Sequence, residues 1–441
     1  MKTARAGRPV SLWNLVVPFL RLRWRNLWVW VAAILIVPVT AAAFYLWHVQ
    51  QFENSRAASG IVVVPFRGDG QGSEPWFAGG LSQDIAGALG RIHGLRVLAV
   101  EPGEPPAGDV AAKTGATAVL RGTVRKSAGR VRVTARIERA DGGIEVWSRT
   151  FDRPVRGEST IPREIADAVA GMLRTRPPAV PGHQAAPAAY DAYLEGRELF
   201  PRLDPDSLSE AAAHFKDATT IDPNFAEAWA WLAIANARLA DACQARPNDA
   251  MAAARDAAER AVTLGGGLGE AHCARGIVRL EYDWNWDGAK EELDRAVELS
   301  PAWAAPLYWR SRWFDAMGRA AEAQADRERA KKLDPPSAGL PADPFAACLD
   351  GRYSGVQKDT DQEGVLLDEA TDLRAKSFVP AMAFALMARN LQDWNGLFQW
   401  LDKAHDEHST QLPYLRTMPG APRGDPRFRA LVDEMHFPAA Q

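Results

Sequence analysis

Residues that could carry out chemistry are few in this sequence, and they seldom lie close together. The densest set is His405 and His408 with Asp402, Asp406 and Glu407. A metal site needs ligands that converge from more than one part of the chain, and no partner motif accompanies this set. We therefore interpret it as the solvated end of a helix, with no metal bound.

A glycine-rich loop is the second candidate. Gly68, Gly70 and Gly72 follow a predicted strand, as the loop of a nucleotide-binding site would. Pro75 and Trp76 intervene before the next predicted helix, and the GxGxxG spacing is absent. A plain loop is the preferred interpretation, and nucleotide binding remains an open alternative.

Recognised catalytic motifs are absent from the sequence. The run from Asp283 to Asp287 alternates acids with tryptophans, but it lacks the glycine and the distal glutamate of a calcium loop. No GxSxG, SxxK, P-loop, HExxH or kinase signature occurs. The sequence therefore predicts a protein that is not an enzyme, with no catalytic residue, cofactor or metal.

Composition predicts several folded units. The chain has 441 residues, 47% of them hydrophobic, and a formal net charge of −3. At about 100 to 200 residues per domain, this length predicts roughly two to four domains. The near-neutral charge gives no sign of a nucleic-acid partner. Cys243, Cys273 and Cys348 lack CxxC or metal spacing, so we interpret them as small buried hydrophobic residues.

One segment is apolar enough to cross a membrane. Residues 27–47 carry no charge, and a helix of that length spans about 30 Å of hydrocarbon. Residues 1–26 are basic and contain no acid, so the positive-inside rule predicts a cytoplasmic amino terminus and a periplasmic bulk. A cleaved signal peptide is the alternative. We expect a single-pass bacterial inner-membrane protein that contacts the lipid bilayer, with residues 48–60 as a linker.

A small α+β domain with a mixed sheet is predicted over residues 61–174. The apolar run at 61–65 is typical of a buried strand, and residues 76–92 have the pattern of an amphipathic helix. Further strands are predicted at 95–100, 118–124, 131–138 and 144–151, and further helices at 109–114 and 162–173.

This domain also resembles a known family. It is similar to the TolB-amino-terminal-like (FlgO-like) module in four segments: IVVVPF, WFAGGLSQDIAGALGRIHGLRVLA, TGATAVLRGTVRKSAGRVRVTARI and GGIEVWSRTFDRP. That module occurs beside tetratricopeptide repeats in membrane-anchored regulators and adenylate cyclases. The resemblance implies an α+β fold and no catalytic activity.

Internal repetition dominates the middle of the chain. Pro301 and Pro335 are 34 residues apart, and Gly266 and Pro301 are 35 apart. Pro223 and Gly266 are 43 apart, which indicates an insertion near Cys243. A 34-residue period is that of the tetratricopeptide repeat, in which each unit is a pair of helices.

Tetratricopeptide repeats are therefore predicted over residues 188–335, after a proline-rich linker at 175–187. Degenerate helical repeats and a cap are predicted at 336–441. The helix pairs are expected at 188–221, 226–264, 269–299 and 304–333, and the later helices at 343–350, 362–374, 378–391, 393–407 and 426–435.

The first helix of each pair is expected to line a protein-binding groove. Packing alone would also account for residues of these types, so the kind of ligand stays open. By register, the residues predicted to line the groove are Tyr190, Tyr193, Glu227, Ala230, Ile234, Glu270, Ile277, Tyr308, Arg312 and Asp315.

Together these features predict an interaction protein. We expect a non-enzymatic, membrane-anchored scaffold or sensor that binds a protein partner through a periplasmic tetratricopeptide solenoid, within a membrane complex. The alternative is a relative of signalling or transcription regulators without its own cytoplasmic output domain, because only 26 residues precede the apolar segment.

Overall fold

The computed structural model describes residues 59–69, 75–99, 115–140, 142–172, 183–334, 378–418 and 420–438. Several expected features lie outside these residues: the basic segment, the apolar segment 27–47, most of both linkers, and the helices expected at 109–114, 343–350 and 362–374. Among the described residues, no helix is both long enough and apolar enough to span a bilayer.

A mixed sheet begins the described part of the chain. Its strands are β1 (Ser59–Val63), β2 (Arg67–Gly68), β3 (Leu95–Ala99), β4 (Ala118–Ser127), β5 (Arg130–Arg139) and β6 (Glu145–Pro154). The strand order in the sheet is β3-β1-β4-β5-β6. The short strand β2 also pairs with β4, on the same edge of β4 as β1. The pairs β1–β3, β1–β4 and β2–β4 are parallel, whereas the pairs β4–β5 and β5–β6 are antiparallel. The two-residue strand β2 is too short to show in a periodicity pattern.

Two helices cover one face of this sheet: α1 (Pro75–Gly90) and α2 (Ile161–Met172), which follows a 3-10 helix at Val155–Thr160. Alternate residues of β5 point into the core between sheet and helices. Each fully buried aliphatic side chain stabilises the fold by about 1.5–3 kcal/mol relative to an exposed one. The core residues shared by β5 and α1 include Val131, Val133, Ala135, Ile137, Leu81, Ile85 and Leu89.

Helix pairs follow the sheet. Each range in which a pair was expected contains two helices: α3 (Pro187–Leu199) and α4 (Pro205–Ile221), α5 (Ala226–Asp241) and α6 (Pro247–Leu264), α7 (Gly269–Glu281) and α8 (Trp286–Leu299), and α9 (Ala304–Ala316) and α10 (Ala320–Leu333). The prediction of a small mixed sheet followed by many helices is confirmed.

The carboxyl-terminal part adds three more α-helices within residues 378–438. These are α11 (Ala381–Asn390), α12 (Trp394–Asp406) and α13 (Pro426–Glu434), with a 3-10 helix at Leu412–Tyr414. Their bounds agree with the expected helices at 378–391, 393–407 and 426–435 to within three residues.

Small residues let the paired helices approach each other. A Cβ atom at Gly196 of α3 would lie 2.6 Å from the Phe215 ring of α4, and one at Gly276 of α7 would lie 2.8 Å from Leu293 of α8. Both distances are below van der Waals contact, so only glycine fits there. Side-chain caps fix where helices begin: Asn285, for example, accepts a hydrogen bond from the Gly288 amide at the start of α8.

The sheet and the helix pairs pack against each other, and residues from Ser59 onward form one compact unit. The contact is closest where α1 meets α3, because a Cβ atom at Gly80 would overlap the Leu194 carbonyl group. The linker composition at 175–187 therefore does not separate two independent bodies.

The cysteines differ from their sequence interpretation in one respect. Cys273 is free and completely buried, as a small hydrophobic residue would be. Cys243 is instead disulfide-bonded, although no spacing motif marks it. The remaining cysteine, Cys348, lies outside the described residues.

A thiol count tests the disulfide. We expect one of the three cysteines to react with maleimide when the full chain is denatured without reductant, because a disulfide at Cys243 takes up two cysteines and Cys273 is free. Cys243→Ser should raise the count to two, whereas Cys273→Ser should lower it to zero. Three reactive thiols in the oxidised wild-type chain would contradict the assignment.

The glycines of α1 provide a matched test of its packing. Gly80→Ala should lower the free energy of unfolding by about 2–3 kcal/mol, because the added methyl group meets backbone that cannot easily move. Gly87→Ala on the same helix has no neighbour closer than 3.8 Å and should be neutral or raise stability by up to about 1 kcal/mol. Chemical denaturation of both variants measures their free energies of unfolding. Equal changes in the two variants would contradict the close approach of α1 to α3 at Gly80.

Candidate functional site

The first helices of the four pairs, α3, α5, α7 and α9, form a surface that we call the first-helix face. Helix α1 packs against it. Asp84 of α1 accepts hydrogen bonds from the hydroxyl groups of Tyr190 (2.8 Å) and Tyr193 (3.2 Å), both on α3. Both tyrosines are 1% exposed, so a carboxylate from the sheet domain supplies the acceptor that their buried hydroxyl groups need.

Arg197 of α3 joins the same contact. Its Nη1 donates to the Tyr193 hydroxyl at 2.7 Å, and its Nη2 donates to the Gln83 carbonyl of α1 at 2.9 Å. The guanidinium also lies over the Trp231 ring of α5, 4.2 Å from its centroid. One buried arginine thus connects three helices through hydrogen bonds and a cation–π contact.

The carboxyl end of α1 reaches α7 and the turn before α9. Arg91 forms an ion pair with Glu270 of α7 (Nη2 to Oε1, 3.1 Å). Burial raises the pKa of Glu227 on α5, and the positive charge of Arg91 partly opposes that rise. The Ala302 amide donates to the Gly90 carbonyl at 3.1 Å. Helix α1 therefore contacts the first-helix face from α3 to the start of α9.

A second polar cluster lies where α5, α7 and α9 meet. Arg312 of α9 pairs with Asp241 (2.6 Å) and with Glu281 (2.8 Å). All three side chains are at most 3% exposed. Burial raises the pKa of Glu281 well above its usual range, and the Arg312 charge opposes that rise. Removing this arginine would leave Arg238, which lies 3.0 Å from Asp241 through its Nη1 atom, as the remaining cation for two buried carboxylates.

The segment around the 3-10 helix Leu412–Tyr414 covers this cluster. Thr410 donates to Asp241 at 3.1 Å, and the Tyr414 hydroxyl donates to Glu281 at 3.4 Å. The Tyr414 ring centroid is 4.8 Å from the Arg312 guanidinium. The chain thus covers its own first-helix face at two places, with α1 at one and the carboxyl-terminal segment at the other.

The residues predicted to line a groove lie in different surroundings. Tyr190, Tyr193 and Glu270 contact α1, and Glu227 lies half-buried near Arg91. A role for these residues in binding a protein partner stays a prediction, and it requires α1 to move aside.

The other predicted groove residues have different neighbours. Arg312 lies under the carboxyl-terminal segment, and Tyr308 is buried beside Trp309. Asp315 accepts a hydrogen bond from Arg327 of α10 at 2.6 Å. The remaining three belong to the apolar core with 0–4% exposure: Ala230, Ile234 and Ile277.

Sequence reasoning missed the charged residues that join these elements. Asp84 and Arg91 carry no sequence signal, because the helix pattern of α1 identifies only the face toward the sheet. Asp241 and Glu281, by contrast, did carry a sequence signal. Each is the last residue of its helix, where a carboxylate opposes the helix dipole and is unfavourable without a cation nearby.

A third ionic contact lies between the sheet domain and α3. The Nζ atom of Lys126 on β4 lies 2.6 Å from Oδ1 of Asp191 on α3 and 3.5 Å from Oε2 of Glu158 in the 3-10 helix. Glu158 is 1% exposed, and neither of its carboxylate oxygens accepts a hydrogen bond from the described residues. Burial raises the pKa of Glu158 to about 7, although the Lys126 charge opposes the rise.

The structure describes the surroundings of the histidine set, but only part of the glycine-rich loop. His405 and His408 stack near the Trp284 ring, with centroids 5.0 Å and 4.8 Å away. In the part of the chain that the structure describes, no group of three His, Cys, Asp or Glu residues could hold a metal ion. Gly70 and Gly72 of the loop lie outside that part.

Comparison with known proteins gives one partial relative. No family model matches the chain, so the resemblances to the TolB-amino-terminal-like module and to tetratricopeptide repeats remain predictions. The chain is similar to the protein named "Putative adenylate cyclase 3" of Rhizobium meliloti (strain 1021), with 27% identity over 191 residues. The alignment covers 40% of this chain and 32% of that protein. The chain therefore spans about a third of the relative's length.

Glu158 predicts a pH-dependent stability. Its folded-state pKa of about 7 exceeds the ordinary value of 4.5, so the folded protein binds more protons than the unfolded chain between these values. Stability from this group is present below about pH 4.5 and is lost as the pH rises through about 7. Between pH 4.5 and pH 8, we expect the free energy of unfolding of Glu158→Gln to rise by about 1–3 kcal/mol relative to that of the wild type.

Urea denaturation at several pH values measures this difference. Glu210→Gln on α4 is the control, because Glu210 is exposed and its substitution should shift stability equally at all pH values. A Glu158→Gln variant whose stability runs parallel to that of the wild type would contradict a buried, neutral carboxyl group at low pH.

Proposed function

We propose that this chain is a non-enzymatic, membrane-anchored scaffold or sensor, in which α1 occupies the first-helix face until a protein partner competes for it. The observation that carries the proposal is the contact of Asp84 with Tyr190, Tyr193 and Arg197. A tetratricopeptide solenoid binds its partners on the face of its first helices, and here the sheet domain contributes a helix to that face.

The chemistry of this contact suits a reversible interaction. Buried ion pairs contribute little net stability, since desolvation offsets most of their attraction, but they require a correctly placed partner. A partner that presents a carboxylate to Tyr190, Tyr193 and Arg197 could replace Asp84 at small net cost. We therefore expect the partner to bring an acidic residue on a helix.

The proposed location is the bacterial inner membrane, with the amino terminus in the cytoplasm and the bulk of the chain in the periplasm. Support comes from the uncharged segment 27–47 after a basic amino terminus. The disulfide at Cys243 also fits an oxidising compartment such as the periplasm. In this proposal the lipid bilayer and a membrane complex are the surroundings, and no nucleic acid takes part.

A second candidate function is regulatory signalling. The similarity to a protein named as an adenylate cyclase favours it, although the aligned part is about a third of that protein. In this alternative, the chain is a signalling or transcription-regulator relative that acts through other proteins. Conversion of ATP to cyclic AMP by the purified full chain would replace both proposals with an enzymatic one.

Asp84→Asn tests the proposed occupancy. The substitution removes the charge that holds Tyr190, Tyr193 and Arg197, and we expect it to weaken the docking of α1 by about 2–4 kcal/mol. Hydrogen exchange should then accelerate in both α1 and α3. In intact membranes, one discrete partner should crosslink more strongly to the variant than to the wild type.

Asp167→Asn is the matched control, because Asp167 is an exposed aspartate on α2 whose loss changes the net charge equally. It should leave exchange and crosslinking unchanged. If exchange accelerates in Asp84→Asn but no crosslinked partner increases, α1 is a structural element rather than a resident ligand. Unchanged hydrogen exchange in Asp84→Asn would contradict the expectation that Asp84 stabilises the docking of α1.

A further inference from the structure

A small pocket lies in the carboxyl-terminal part of the chain. Its volume is about 290 Å³. Positive side chains and an apolar wall share the lining, which consists of Arg416, Arg423, Phe428, Arg429, Val432 and Asp433.

The three guanidinium groups of this pocket are held by main-chain carbonyl groups. Arg423 donates to two of them, at Arg416 (2.9 Å) and at Met418 (3.0 Å). Arg429 donates to the Gly424 carbonyl at 3.2 Å, and Arg416 donates to the Pro438 carbonyl at 3.4 Å. Since a guanidinium has five N–H donors, each keeps at least three for a ligand. Arg423 and Arg429 are exposed to solvent, so their remaining donors are accessible to a ligand.

The positive charge of the pocket is not neutralised by ion pairs within the described residues. Arg427, next in the sequence to the wall residue Phe428, pairs with Asp425 at 2.9 Å. Arg416, Arg423 and Arg429 form no ion pair within 4 Å among the residues that the structure describes, although Asp433 contributes one acid to the lining. The pKa of Asp425 is lowered by its hydrogen bond from Arg427 and also by the charge of Arg429. Arginine stays charged at any physiological pH, so the lining carries a surplus of two positive charges.

We propose that this pocket binds a small phosphate monoester. A phosphate monoester carries a charge of about −1.5 to −2 at neutral pH, which matches the surplus, whereas a carboxylate would neutralise half of it. Guanidinium groups also match phosphate oxygens in geometry and can donate two parallel hydrogen bonds. Phe428 and Val432 line the pocket, and their side chains would contact an apolar body attached to the phosphate.

The size of the pocket limits the ligand. Pockets for small molecules usually measure about 300–1,000 Å³, and the volume of this one, about 290 Å³, is just below that range. It can hold a phosphate group and one ring, but not a folded partner. The proposal does not depend on occupancy of the first-helix face, because the two sites share no residue.

Isothermal titration of the full chain in detergent with phenyl phosphate tests the proposal. We expect saturable binding that weakens steeply with added salt, and weaker binding of both inorganic phosphate and phenylacetate. Arg429→Gln should weaken the binding of phenyl phosphate at least tenfold. Arg260→Gln, at an exposed arginine on α6, should leave it unchanged.

Asp433→Asn distinguishes an effect on the pocket from an effect of misfolding. Removing the only lining carboxylate should strengthen phenyl phosphate binding several-fold, and a damaged fold cannot produce such a gain. The proposal is overturned if phenyl phosphate does not saturate the chain or binds no tighter than phenylacetate. It is also overturned if Arg260→Gln weakens binding as much as Arg429→Gln does.

Discussion

Burial of helix α1 on two sides is the constraint on which the rest of this structure depends. One face of α1 contributes Leu81, Ile85 and Leu89 to the core above the sheet. The opposite face contacts α3 so closely that Gly80 has no space for a side chain. Because the same helix completes both cores, the sheet domain and the helix pairs cannot separate without exposing one of them.

Charged groups are what make these internal contacts specific. Tyr190 and Tyr193 need an acceptor inside the protein, and only the position of Asp84 provides it. Arg312 likewise requires both Asp241 and Glu281. Such networks add little net stability compared with apolar packing, but a misplaced partner would leave a buried charge unpaired. They therefore select one arrangement of helices among several that apolar packing alone would allow.

Both coverings of the first-helix face come from segments distant in sequence. Helix α1 precedes α3 by about a hundred residues, and Tyr414 follows α9 by almost as many. Residues that a repeat pattern assigns to an open groove, such as Tyr193 and Arg312, are consequently buried at 1% and 3% exposure. A partner that contacts Tyr193 or Arg312 therefore has to displace the segment that covers that residue.

The sequence by itself determined most of the described helices and strands of this protein, because periodic apolar residues, turn residues and the spacing of Pro223, Gly266 and Pro301 are local signals. Only the tertiary structure decided the partners of Asp84, Arg197 and Arg312, since long-range ion pairs depend on where distant segments meet. Likewise, the pairing of Cys243 and the pocket at Arg429 have no local signature. Local patterns thus set the elements, and the burial of charge set their arrangement.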